Sequence, residues 1–241
     1  VDSPAEARKA AREQLKAGVD FIKIMATGGV MTEGVEPGAP QLTEVEMAAA
    51  IAEAHKSGRK TAAHAQGTEG IKNALKAGID TIEHGVFLDD ETIELMLKND
   101  VYLVPTLSAV QSIVEEGVEA GIPEFAVRKS ETVLDSHIRS FQRARKAGVK
   151  IDMGTDAGTP LNFHGANLSE LELMVEHGMK PLEAIKAATL TGAEMIGLAD
   201  ELGSLEAGKD AHLLVVDGNP DKDIKDIHNI YQVYKNGRLI R

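Results

Sequence analysis

One pattern recurs five times along the 241 residues and constrains the fold more than any other feature. Each copy is a lysine, a small or turn-forming pair, and a short apolar run closed by a polar residue: KAGVDFIKIM, KSGRKTAAHA, KAGIDTIEHG, KNDVYLVPTL and KAGVKIDMGTDAG. The runs are rich in Val, Ile and Leu and do not alternate, as expected of strands covered on both faces in a parallel sheet. Helical patterns lie between them. SPAEARKAAREQLKAG offers Ser3 as N-cap, Pro4 at the first helical position, Glu6 for a capping box and Gly18 as the stop; TEVEMAAAIAEAHKSG repeats this with Thr43, Glu46 and Gly58. The recurrent lysine then belongs to the last turn of a helix, where positive charge suits the dipole, and the glycine closes it. Lys23, His64, His84, Thr106 and Asp156, which close the five runs, all fall at the C-terminal ends of strands.

Strand and helix units of roughly 20 to 45 residues imply right-handed parallel crossovers, hence a doubly wound sheet or a (β/α) barrel of the TIM type. MATGGVMTEG lacks the G-x-G-x-x-G turn of a dinucleotide-binding sheet, so the barrel is expected. In such barrels chemistry sits where the strands end. The texture changes later: LGSLEAGKDAHLLVVDGNP and IYQVYKNGRLIR read as β-strands, with a tight turn at 236–237. The expected organisation is a partial barrel over 1–198 and a small β region over 199–241.

Composition narrows the function classes. With 43% hydrophobic and 27% charged residues, and no apolar run near the roughly 18 to 20 residues of a membrane span, a soluble globular protein is expected. The net charge is −12 and the basic residues are dispersed among acids, which argues against nucleic-acid or anionic-membrane partners. There are no cysteines, so a metal would sit on His, carboxylate or modified Lys. The chain opens on Val1, so its first residue is not expected to be the native start; a cytoplasmic location is the expectation.

Each polar strand end has a bland reading by itself. Lys23 can be solvated, His64 and His84 can be hydrogen-bonded core residues, and Asp156 can cap a helix. Their equivalent positions in successive units, converging on one barrel mouth, favour a shared site. Imidazoles with hard oxygen ligands and no thiolate suit Zn²⁺ or a similar divalent ion. His164, close after Asp156, and Thr106 are further candidates for substrate contact, and MTEGVEPGAPQLT for a lid.

FIKIMATGG, AAHAQGTEGIKNALKAGIDTIEHG, GTDAGTP and EHGMKPLEAIKAATLTGAEMIGL with LGSLEAGKDAHLLVVDGNP closely resemble the amidohydrolase superfamily, in its imidazolonepropionase-like and Xaa-Pro dipeptidase-like branch. The resemblance covers essentially the whole chain. It implies barrel strands four to eight with part of a β-sandwich, and one or two zinc ions. It further implies that a carboxylated Lys23 bridges two metals, that His64 and His84 ligate the second, and that Asp156 ligates the first and acts as general base. The implied reaction is hydrolysis of C–N bonds in dipeptides, N-acyl amino acids or cyclic amides. The family's His-x-His pair has no counterpart, since His55, His137, His177, His212 and His228 stand isolated. Five strands of eight leave raw edges, so a homo-oligomer or a complementing N-terminal segment is expected. Two other classes remain: a Schiff-base lyase or aldolase using Lys23, and a noncatalytic or complementing fragment of a longer enzyme.

Overall fold

The structure, a computed structural model, describes residues 1–241. It divides into two compact units, Val1–Pro105 with Val110–Lys150, and Thr106–Ala109 with Ile151–Arg241.

The first unit alternates helix and strand. Helix α1 (Pro4–Lys16) precedes β1 (Phe21–Met25); then come α2 (Glu44–Lys56), β2 (Lys60–Ala65), α3 (Thr68–Ala77), β3 (Thr81–His84), α4 (Asp90–Lys98) and β4 (Tyr102–Val104). Helix α5 (Leu107–Glu116), whose first residues up to Ala109 are counted with the second unit, and α6 (Glu124–Ala147) follow. The expected caps are present. Ser3 Oγ accepts the Glu6 N–H, Glu46 reaches back to the Thr43 N–H at 2.8 Å, and Gly18, Gly58, Gly78 and Gly148 take the positive φ that ends their helices. Arg12 of α1 grips Glu53 of α2 through both carboxylate oxygens, at 3.0 and 3.1 Å.

The four strands form one parallel sheet in the order β1-β2-β3-β4. Its register sets Lys23 beside Ala62, Met25 beside His64, His64 beside Glu83 and Ala65 beside His84. The core packs Ile22, Ile24, Ala63, Ala65 and Ile82 against Met47, Ile51, Ile71, Leu75 and Met96 of the helices. β1 departs from the expected two-sided burial: Ile22 and Ile24 are buried, while Phe21, Lys23 and Met25 are exposed. The physical reason is position, since β1 is an edge strand whose second face nothing in this chain covers.

The fifth apolar run does not become a strand of this sheet. It offers the Lys150 carbonyl to the Leu103 N–H at 2.9 Å, and Ile151 makes only an isolated β-bridge. Asp152 takes the N–H of Met153 with its own carboxylate at 2.8 Å, a local bond that competes with a sheet ladder. A parallel α/β sheet is therefore observed, and barrel closure is not.

The second unit holds α7 (Leu168–Glu176), α8 (Pro181–Lys186), a π-helical turn over Ala187–Thr191 and α9 (Gly192–Ile196). An antiparallel sheet of β5 (Leu213–Val216), β6 (Ile230–Lys235) and β7 (Arg238–Leu239) follows, its last turn made by Asn236 and Gly237, both at positive φ as the Asn-Gly pair predicts. Glu170 on α7 is fully buried and accepts the N–H groups of Leu107 and Ser108, each at 2.8 Å.

Candidate metal centre

The centre starts from alternation on β2. Lys60, Ala62 and His64 share one face, and the register puts Lys23 and Met25 of β1, and Thr81 and Glu83 of β3, on that same face. Alternation alone would send His84, beside Ala65, to the opposite, helix-packed face. It does not go there, because the backbone of His84 turns left-handed at φ 70. That conformation is uncommon for a residue with a Cβ and costs of order 1 to 3 kcal/mol. The result is that the His64 and His84 rings meet edge to face, with centroids 4.5 Å apart and planes at 69°.

Both imidazoles are deeply buried, at 8% and 4% exposure. Burial, with the neighbouring His64, His137 and Lys23 charges adding to it, holds His84 well below the usual histidine range. Two buried imidazoles packed edge to face, with His84 held towards its neutral form, lie on the sheet face that carries Lys23 and form a donor set that suits a divalent ion. Nowhere in the chain do three or more His, Asp or Glu side chains gather as a ready-made cation site. The His64–His84 pair, with Lys23 on the same sheet face, is what this unit brings together.

The loop after β1 is built around His64. The Gly38 N–H donates to the Gly28 carbonyl and the Gly28 N–H to the Ala39 carbonyl, Thr27 pairs with Pro40, and Thr27 Oγ1 accepts the Gln66 N–H at 2.9 Å. Gly29 lies so close that a Cβ there would stand 2.9 Å from His64 Cε1 and 3.0 Å from Nε2, so only glycine allows this approach. Lys129 of α6 holds the loop's tip by donating to the carbonyls of Thr32 and Val35, at 2.7 and 2.6 Å. The segment anticipated as a lid is therefore a pinned flap.

Asp156, Thr106 and His164 belong to the second unit. Asp156 is half-buried at φ 58, and its carbonyl accepts from Thr159. Thr106 is buried at φ 50. His164 is exposed, with Nε2 3.6 Å from where a Cβ on Gly158 would lie. Three of the five strand-end residues, His84, Thr106 and Asp156, thus share a left-handed backbone.

Two groups on or beside the centre were not anticipated. Glu83 stands on the face of His64 and accepts from Thr81 Oγ1 at 2.6 Å; its place one residue before His84 is the signal alternation offers. His137 is fully buried with Nε2 2.7 Å from the Pro105 carbonyl oxygen. Its spacing from Val133, Phe141 and Ala144 marks it as part of the buried stripe of α6, a pattern legible beforehand.

Comparison with known proteins gives consistent results. The model of the amidohydrolase family matches residues 2–240. Ochratoxinase of Aspergillus niger is 36% identical over 245 residues, which cover 100% of this chain and 50% of that enzyme. Among solved structures, a Xaa-Pro dipeptidase with bound methionine in its active site is 41% identical with a TM-score of 0.93, covering 100% of this chain and 59% of that one. A prolidase complexed with N-methylphosphonate-L-proline is 32% identical with a TM-score of 0.94, covering 100% and 59%. The chain spans about half the length of the curated relatives it matches.

Proposed function

Because the chain belongs to the amidohydrolase family, we propose that the protein is a divalent-metal hydrolase of amide bonds in dipeptides or N-acylated amino acids. The observation that carries this reading is the buried His64–His84 pair, brought edge to face by a strained backbone, with burial holding His84 well below the usual histidine range. His64, His84, a carboxylated Lys23 and Asp156 would hold the metal, zinc being the ion that best suits the donors. When bound, such an ion polarises the scissile carbonyl and lowers the pKa of water towards 7.

The chain's own groups do the rest. The Asp156 carboxylate accepts a proton from water as its oxygen bonds to the carbonyl carbon, then passes that proton to the leaving nitrogen as the C–N bond breaks. Lys23, as a carbamate, contributes an oxygen donor where the unmodified amine would bring only a cation. The pinned flap excludes bulk water beside His64, and Thr106 and His164 contact substrate.

The whole protein's activity also needs the family's His-x-His pair. We place it on chain that pairs with the free edge of β1, from the same polypeptide or from another copy. A cleft of about 470 Å³ is lined by Lys23 and Met25 of β1 together with Ala7 and Ala11 of α1, Leu42 and Glu46. A Schiff-base role for Lys23 would leave the two buried imidazoles without a task. The test is Asp156→Asn: turnover of dipeptides is lost while bound metal, measured by elemental analysis, is largely retained. Wild-type rates in that variant would sink the assignment.

A further inference from the structure

Gln66 follows His64 by two residues, so alternation carries its side chain onto the same face, one step nearer the strand's C-terminal end. Its backbone is fixed from both sides: its N–H goes to Thr27 Oγ1 in the flap and its carbonyl accepts the Phe87 N–H at 2.8 Å, beyond β3. The residue is 2% exposed, and its Oε1 accepts no hydrogen bond. A Cβ on Gly29 would stand 3.7 Å from its amide nitrogen and 3.0 Å from His64 Nε2, so the carboxamide and the imidazole flank the same glycine. A buried carbonyl-type oxygen left without a donor is costly, and a native structure tolerates one chiefly where a ligand or water completes it.

We propose that Gln66 is a specificity-determining residue, whose Oε1 accepts a hydrogen bond from an N–H of the substrate beside the metal centre. This rests on the amide-hydrolase reading above and extends it to a residue and a substrate class. The donor is either the N–H of a secondary scissile amide or the terminal ammonium of a dipeptide; the chemistry recognised is the same. A substrate with neither leaves Gln66 as it stands in the free protein and gains nothing from it.

The test compares the wild-type full-length holoenzyme with Gln66→Met, which keeps the side chain's length and removes the acceptor. Three substrates separate the sources: N-acetyl-leucine carries only an amide N–H, leucyl-proline only a terminal ammonium, and N-acetylproline neither. In the variant, preference for an N–H-bearing substrate over N-acetylproline should fall roughly 10- to 100-fold in kcat/KM, the value of one hydrogen bond in a desolvated site. Loss confined to N-acetyl-leucine identifies the scissile amide as donor, and loss confined to leucyl-proline identifies the ammonium. An equal change for all three overturns the proposal. So does a lowered urea midpoint for Gln66→Met, because an acceptor buried without a partner opposes folding and its removal leaves the midpoint unchanged or raises it. If the wild type hydrolyses none of the three, the hydrolase reading fails, and calorimetric binding of the same compounds still decides Gln66. A variant that binds N-acetyl-leucine and N-acetylproline in the wild-type ratio, and likewise leucyl-proline and N-acetylproline, refutes its role.

Discussion

Replacing Glu170 by glutamine should change how stability depends on pH, and the size of the change follows from where the carboxyl sits. It is fully buried on α7 and receives two backbone N–H groups, from Leu107 and Ser108. Those donors favour the ionised form, burial opposes it, and burial prevails: the carboxyl is pushed from 4.5 up to about 7. Because the folded protein holds this proton more tightly than the unfolded chain, the unfolded state has already ionised between pH 4.5 and 7 while the folded state has not. The group's contribution is therefore greatest below pH 4.5, declines through that window, and levels off above 7. At about 1.4 kcal/mol per pH unit, the decline amounts to about 3 kcal/mol. A glutamine side chain does not titrate, so the wild type minus Glu170→Gln difference should shift by about 3 kcal/mol against the wild type from pH 4.5 to 8. Below pH 4.5 the variant should be the less stable by about 1 to 3 kcal/mol, since one of the two amides then faces an NH₂ group. Urea unfolding at pH 4.5, 5.5, 6.5 and 8, with matched m-values, measures this. A difference that stays flat across the series would refute the reasoning.

Two further outcomes are expected. His84→Asn keeps a side chain that tolerates left-handed backbone, so the protein should remain folded while the rise in melting temperature on adding Zn²⁺ disappears. His55→Asn, which alters a histidine paired to Asp80 at 2.8 Å, should keep that rise; equal loss in both variants would show the ion binds elsewhere. Lys129→Met removes both bonds to the flap tip, and cleavage after Glu33 by a Glu-specific protease should quicken about tenfold as local opening becomes easier. An unchanged cleavage rate would mean the flap is held by its own backbone bonds.

Much of the helix grammar is legible in the sequence because it is local. Ser3, Thr43 and Glu46 cap within four residues of where they stand, and Gly18, Gly58 and Gly78 end helices by conformations only glycine adopts freely. The face of His64 is legible for the same reason, since strand alternation needs no distant partner. What the pattern cannot reveal depends on residues far along the chain. His84 reaches His64 only through a backbone turn that alternation contradicts. The one-sided burial of β1 reflects its place at the sheet edge, and the fifth run stops at an isolated bridge at Ile151, after which Asp152 bonds locally. His137 and Gln66 read as ordinary helix and strand residues until Pro105, Thr27 and Gly29 are set beside them.

The left-handed turns at His84, Thr106 and Asp156 store the aim of each group in the main chain, leaving the side chain itself interchangeable. Asn or Asp accepts such a turn most readily, whereas a β-branched side chain takes it only under added strain, as Thr106 does at φ 50. A scaffold of this kind can exchange its chemistry one tip at a time while its sheet stays untouched.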